Sequence, residues 1–174
     1  MITQDFRTDP STKWYDFKSH SSGLKYEYAM SIRKPKIIWR NGPFPASFHD
    51  ITIFRGGKSD EPKESWKRDS LYFKMEEFVP GKKAIGDSAY EGEPEKVFVA
   101  KEGQSKDLRE FMARVKQREE TLHSRLQSFN VLMNHFRHGK SPEERMKLHD
   151  ECTGAVTLTV QYDFDTGRPP FEVR

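Results

Sequence analysis

A single cysteine, Cys152, stands in 174 residues. This excludes an intramolecular disulfide and any zinc site built from several cysteines, and it makes an intracellular setting the expectation. Long apolar runs are lacking too: no stretch approaches the roughly 20 residues needed to span a bilayer. The opening MITQDFRTDP has no apolar stretch of signal-peptide type, so no membrane partner is expected. Apolar residues as a class make up only 34% and the mean hydropathy is −0.90, which predicts a thin core and mobile surface segments. An excess of charge of one sign is also missing, since 30 Lys and Arg face 27 Asp and Glu for a formal net charge of +3. That balance is compatible with phosphate backbones but falls short of strong basicity, and an ordinary mixed-charge surface accounts for it equally well.

Aromatic residues are plentiful by contrast, with 13 Phe, 6 Tyr and 3 Trp. They lie in periodic segments where they can be buried together. The length suits one domain over 1–174. The stretch Leu24 to Ile32 alternates apolar and polar residues, which predicts a half-buried strand. A turn at Arg33-Lys34-Pro35-Lys36 and a second, antiparallel strand at Ile37-Ile38-Trp39 follow. The prolines of Asn41-Gly42-Pro43-Phe44-Pro45 are expected to stop that strand. A short helix is predicted after Ser47, its candidate N-cap, with Asp50 in the acid-favouring first turn. Segment 56–68 mixes glycine, proline and both charges and is expected to be a mobile insertion.

Beyond it, Leu71, Met75 and Phe78 keep helical spacing up to Pro80-Gly81. Lys83 to Asp87 then reads as a short buried strand that ends on an acid, and Val97-Phe98-Val99 as another. From Leu108 a long helix is predicted, with Phe111, Val115, Leu122, Leu126 and Phe129 in its apolar pattern. Ser141-Pro142-Glu143-Glu144 supplies a cap, a first-position proline and a capping-box acid for a last helix reaching about Val160. His135 and His138 form an HxxH with no third ligand and are taken as surface histidines; Cys152, three residues from His149, is taken as a buried structural thiol.

Three segments, in order, carry a likeness to a known family. Gly42 to Asp50 (GPFPASFHD) resembles the element GPxPGSxHD, with Ala46 where glycine is usual. Gly86 to Gly92 resembles GDxxYxG, and Arg114 to Arg125 (RVKQREETLHSR) is similar to the helix RxRxRHExxNxR, with Glu119 and His123 in place of its histidine and asparagine. Shorter likenesses at Lys13-Trp14-Tyr15, Gly23 to Glu27, Phe136-Arg137-His138 and Pro170 to Val173 extend the match over nearly the whole chain. The family is that of DDE-type transposases of the PIF/Harbinger kind.

The resemblance implies an α/β, ribonuclease-H-like mixed sheet flanked by helices. Its carboxylates would gather around two divalent ions, Mg2+ or Mn2+, because in-line attack on a phosphodiester builds charge on two oxygens and hard cations take oxygen ligands. Asp50, Asp87 and Glu120 are the implied catalytic and metal-binding residues. Which of Asp50 and Asp87 is the formal second member of the triad stays open. Arg114, Lys116, Arg118 and Arg125 are the implied DNA-phosphate contacts, with a solvated, salt-bridged helix face as the alternative. The family's first aspartate falls on Ile2 when Asp5-Phe6-Arg7 is aligned, and Asp5 is out of phase by an odd step along a strand. The first strand is therefore expected to be incomplete through N-terminal truncation and cleavage to be impaired. DNA, with a DNA-binding partner chain, is the expected partner, and the nucleus the expected compartment. The alternative is a non-catalytic DNA-binding or protein-interaction remnant of a transposase.

Overall fold

In a computed structural model that describes residues 2–3, 12–17, 20–101, 103–134 and 136–173, the elements fall into two compact units, Met1–Phe48 with Gln117–Val173, and His49–Lys116. The fold is mixed α/β, as expected. Asp5 and His135 lie outside the described residues.

The first unit holds β1 (Ile2–Thr3), β2 (Tyr15–Asp16), β3 (Ser21–Met30) and β4 (Ile37–Pro45). Strand β3 pairs antiparallel with each of the other three. The alternation from Leu24 to Met30 does what the period implies, since Tyr26, Tyr28 and Met30 all reach helical partners from one side of the strand. The prolines do not stop β4, which runs on to Pro45. Its register shifts between Lys25↔Phe44 and Glu27↔Asn41, so Gly42 and Pro43 sit opposite Tyr26 alone in a bulge that asks proline for no ladder bond. Gly42 belongs there because its φ is 139° and an added Cβ would lie 2.7 Å from the Tyr26 ring.

Three helices complete the unit: the later turns of α3 (Lys106–Gln127), which is divided after Lys116, then α4 (Asn130–Met133) and α5 (Pro142–Asp165). The predicted cap of α5 is present, with Ser141 accepting from the Glu144 backbone at 3.2 Å. The β-prone residues 155–160 stay helical past the expected end. Val156, Val160 and Phe164 join Leu122, Leu126 and Leu132 in the core, and burial of that stripe outweighs the weak local preference. Thr153, Thr157 and Thr159 return their hydroxyls to the carbonyls four residues back.

Helix α5 also carries the least exposed polar residue among the described residues. His149 is 0% exposed, with Nδ1 2.8 Å from the Tyr26 hydroxyl and Nε2 without a hydrogen-bond partner. Tyr26 stacks on its ring and Phe136 meets it edge-on. Burial holds the imidazole at a pKa of about 4, against a weaker upward pull from Asp150.

The second unit comprises α1 (Asp50–Arg55), α2 (Leu71–Phe78), β5 (Ala84–Gly86), β6 (Val97–Val99) and the start of α3. Strands β5 and β6 pair in parallel, and a 3-10 turn at Ser88–Tyr90 lies between them. Ser47 does not cap α1; the cap position is His49, which makes no side-chain cap bond. In segment 56–68, Trp66 is buried, donates through Nε1 to the Lys58 carbonyl at 3.2 Å and lies under the Arg55 guanidinium. Gly57 makes room for it, since a Cβ there would lie 2.3 Å from the indole.

Two outcomes follow from these contacts. A neutral, buried His149 binds its proton far less readily than the same residue in the unfolded chain. Stability should therefore fall as pH drops from about 6.5 to about 4 and level off below, by roughly 3 kcal/mol at most. Thermal melts across that range should show the loss in the native protein and a smaller one in His149→Gln. Trp66→Ala should cost about 3 kcal/mol or more and speed tryptic cleavage after the exposed Lys58 and Lys63 by loosening their backbone; unchanged cleavage would mean that the indole does not fasten the segment.

Candidate functional site

Two of the three carboxylates singled out in the sequence belong to the second unit. Asp50 opens α1 and is half-buried. Asp87 follows β5, is exposed, and accepts a hydrogen bond from the Ala89 backbone at 3.0 Å, capping the 3-10 turn. The elements that carry them pack against each other. Tyr90 meets Phe54 edge-on at 5.7 Å, Arg55 donates to the Gly92 carbonyl at 3.1 Å, and the Arg55 Nε is ion-paired with Glu93.

The glycines of the second motif serve this contact. A Cβ on Gly86 would lie 2.8 Å from Val97 and 2.9 Å from the Tyr90 ring, and one on Gly92 would lie 2.8 Å from Ile51. Close approach of the turn to β6 and to the Tyr90 ring favours glycine at position 86, while at position 92 the neighbours are the mobile ends of Ile51 and Arg55. Helix α1, which Asp50 opens, thus packs through Ile51, Phe54 and Arg55 on the turn of the second motif.

Glu120 belongs to the first unit, on the exposed side of α3, as does Glu119. Among the described residues no group of three or more His, Cys, Asp or Glu side chains could hold a metal ion. The second unit supplies two of the implied ligands and one of them is engaged with a backbone amide. A hard divalent cation is held by several oxygens at once, and of the implied ligands the second unit holds Asp50 and Asp87.

The basic residues of α3 divide in the same way. Arg114 and Lys116 are exposed. Arg118 is 5% exposed; its guanidinium donates to the Phe171 carbonyl at 2.9 Å and to the Lys34 carbonyl. It joins the chain end to the β3–β4 turn and drops out of any surface for phosphate. Arg125 is half-exposed and ion-paired with Asp163. A sign of the inward role of Arg118 was available, since Arg118, Leu122 and Leu126 share one i, i+4 row and all three are buried. Cys152 is a free, half-buried thiol, and His138 packs edge-on against buried Phe136. The buried state of His149 had no signal of its own in the sequence.

No known protein family, curated protein or solved structure matches the chain.

The two arginines should behave differently on substitution. Arg118→Met leaves two carbonyls without a charged donor and should lower stability by about 2–3 kcal/mol, whereas Arg125→Gln, at a half-exposed pair, should cost less than about 1 kcal/mol. Urea denaturation of the two variants measures this directly; equal effects would show that Arg118 is not the fastening described.

Proposed function

We propose that the chain is a domain derived from a DDE transposase of the PIF/Harbinger kind, which engages DNA through phosphate contacts and does not itself carry out two-metal phosphodiester cleavage. The ancestry is supported by the three ordered motifs and by the packing of α1, which begins at Asp50, on the turn of the second motif. A ribonuclease-H-like fold is supported by a central strand, β3, with antiparallel neighbours and helices beside them.

The observation that carries the non-catalytic half is the state of the implied ligands. Asp87 caps a turn, and the described residues contain no group of three metal-binding side chains. The resemblance also puts an isoleucine, Ile2, at the position of the first aspartate, and a hydrocarbon side chain has no lone pair to offer a cation. Phosphate contact needs none of this machinery, because it draws on exposed Lys and Arg and the release of counterions. Nuclear localisation, and a partner chain that supplies sequence recognition, complete the proposal.

A metal-dependent endonuclease is the second reading. It is favoured by one feature, that Asp50 and Asp87 stand on elements packed against each other. Calorimetric titration with Mn2+, beside fluorescence anisotropy with a short labelled duplex at increasing NaCl, separates the two. The proposal expects no Mn2+ binding that depends on Asp87, together with salt-sensitive duplex binding in the range of about 10⁻⁴–10⁻⁶ M. Mn2+ binding that disappears in Asp87→Ala would return the chain to the endonuclease reading, and failure to bind duplex at low salt would remove DNA from the proposal.

A further inference from the structure

We infer that the tip of the β3–β4 hairpin, Arg33-Lys34-Pro35-Lys36, is a rigid contact for a nucleic-acid phosphate backbone. The inference rests on the DNA reading above and names the surface through which it acts.

Arg33, Lys34 and Lys36 are exposed, and among the described residues none of them forms an ion pair. That sets them apart from many other surface lysines. Lys74, Lys96, Lys106 and Lys147 each have a Glu within ion-pair distance, and their charge is largely spent on neighbours. No acid occurs between Ser31 and Ile38. Two exposed carboxylates, Asp165 and Glu172, are engaged elsewhere: Asp165 accepts from the Gln161 amide at 3.0 Å and Glu172 acts on the buried Arg118.

The backbone beneath these cations is held at successive points. Arg118 donates to the Lys34 carbonyl. Gln161 donates to the Pro35 carbonyl at 2.9 Å and accepts from the Ile37 amide at 2.8 Å. Ser31 closes the turn through its amide to Lys36, 2.8 Å, and through its hydroxyl to the Lys34 amide, 3.2 Å. A solvated charge run needs no such support.

Fixing the backbone lowers the entropy lost when the cations are ordered on a ligand, and this rewards a ligand whose own charges are regularly spaced. A duplex has such spacing, with one phosphate every ~3.4 Å along each strand. Acidic membranes instead reward clusters of about four to eight basic residues beside a membrane helix or on an amphipathic one, and the tip has neither that number nor such a helix. The geometry therefore favours nucleic acid over lipid.

The test uses the full chain, a short labelled duplex and anisotropy at increasing NaCl. The protein is compared with a variant carrying Arg33→Gln, Lys34→Gln and Lys36→Gln, and with one carrying Arg114→Gln and Lys116→Gln. The glutamines leave in place the carbonyls and amides that Arg118, Gln161 and Ser31 hold, so the melting temperature should not move. The slope of log Kobs against log[NaCl] should shrink by about 0.9 for each phosphate contact removed, a reduction of about 2–3 for the hairpin variant. The same slope as in the unaltered protein would overturn the inference while leaving the DNA reading intact. So would a slope change confined to the Arg114 and Lys116 variant. Loss of binding to phosphatidylserine vesicles with unchanged duplex binding would assign the tip to membranes instead and likewise overturn it. If the unaltered chain binds no duplex, the DNA reading fails and the inference falls with it.

Discussion

Helix α5 lies against the β3–β4 hairpin along a line of polar side chains spaced four residues apart, and the first unit depends on that seam. His149 meets Tyr26, Thr157 meets the Tyr28 hydroxyl at 3.0 Å, and Gln161 meets the backbone on either side of Lys36, at Pro35 and Ile37. Beside it runs an apolar row, Val156, Val160 and Phe164, packed on Leu122, Leu126 and Leu132. Apolar burial supplies most of the attraction but does not choose between positions along the helix. Buried polar groups do choose, because sliding the helix by one turn would strip them of partners and leave their desolvation uncompensated. Chain composition makes this distinction matter, since the apolar content is low and the core correspondingly small.

In the second unit a charged pair takes a similar part. Arg55 and Glu93 are nearly buried, and the Arg55 guanidinium also covers the ring of Trp66. One side chain at the end of α1 thus holds the turn that follows Asp87 and the loop that follows α1. Burying such a pair is costly unless it is well bonded, and the added contacts to Gly92 and Trp66 make up part of that cost. The arrangement gives the turn at Gly86 to Gly92 a structural purpose that needs no metal: glycine admits the close approach and Tyr90 packs on Phe54.

The same division of labour governs the cations. Arg118 is turned inward to hold two carbonyls, and Arg125 and Arg40 are tied to Asp163 and Asp150. What a net charge of +3 means for a partner is decided by which positive groups remain uncommitted, and the count cannot show that. Arg118 connects the two themes, since the bond that takes it out of the surface also stiffens the turn that presents Arg33, Lys34 and Lys36.

Local patterning determined a good part of this protein. The alternation from Leu24 placed β3, the antiparallel return at Ile37 placed β4, the Ser141 cap and Pro142 placed the start of α5, and the short apolar run before Asp87 placed β5. These features depend on neighbours a few residues away, so they are legible without the fold. The end of β4 and the end of α5 were not, because a bulge opposite Tyr26 and burial against Leu122 and Leu126 override what proline and β-branched residues prefer alone. Beyond the i, i+4 row that aligns Arg118 with Leu122 and Leu126, the sequence could not say what each charged side chain would do. Arg118 and Arg125 share one helix and one charge, but one is sealed under the chain end and the other pairs at the surface. Likewise Asp87 is held by an amide two residues away. An ionisable group takes its role from the solvent and partners that the folded chain leaves it, and only the tertiary structure decides those.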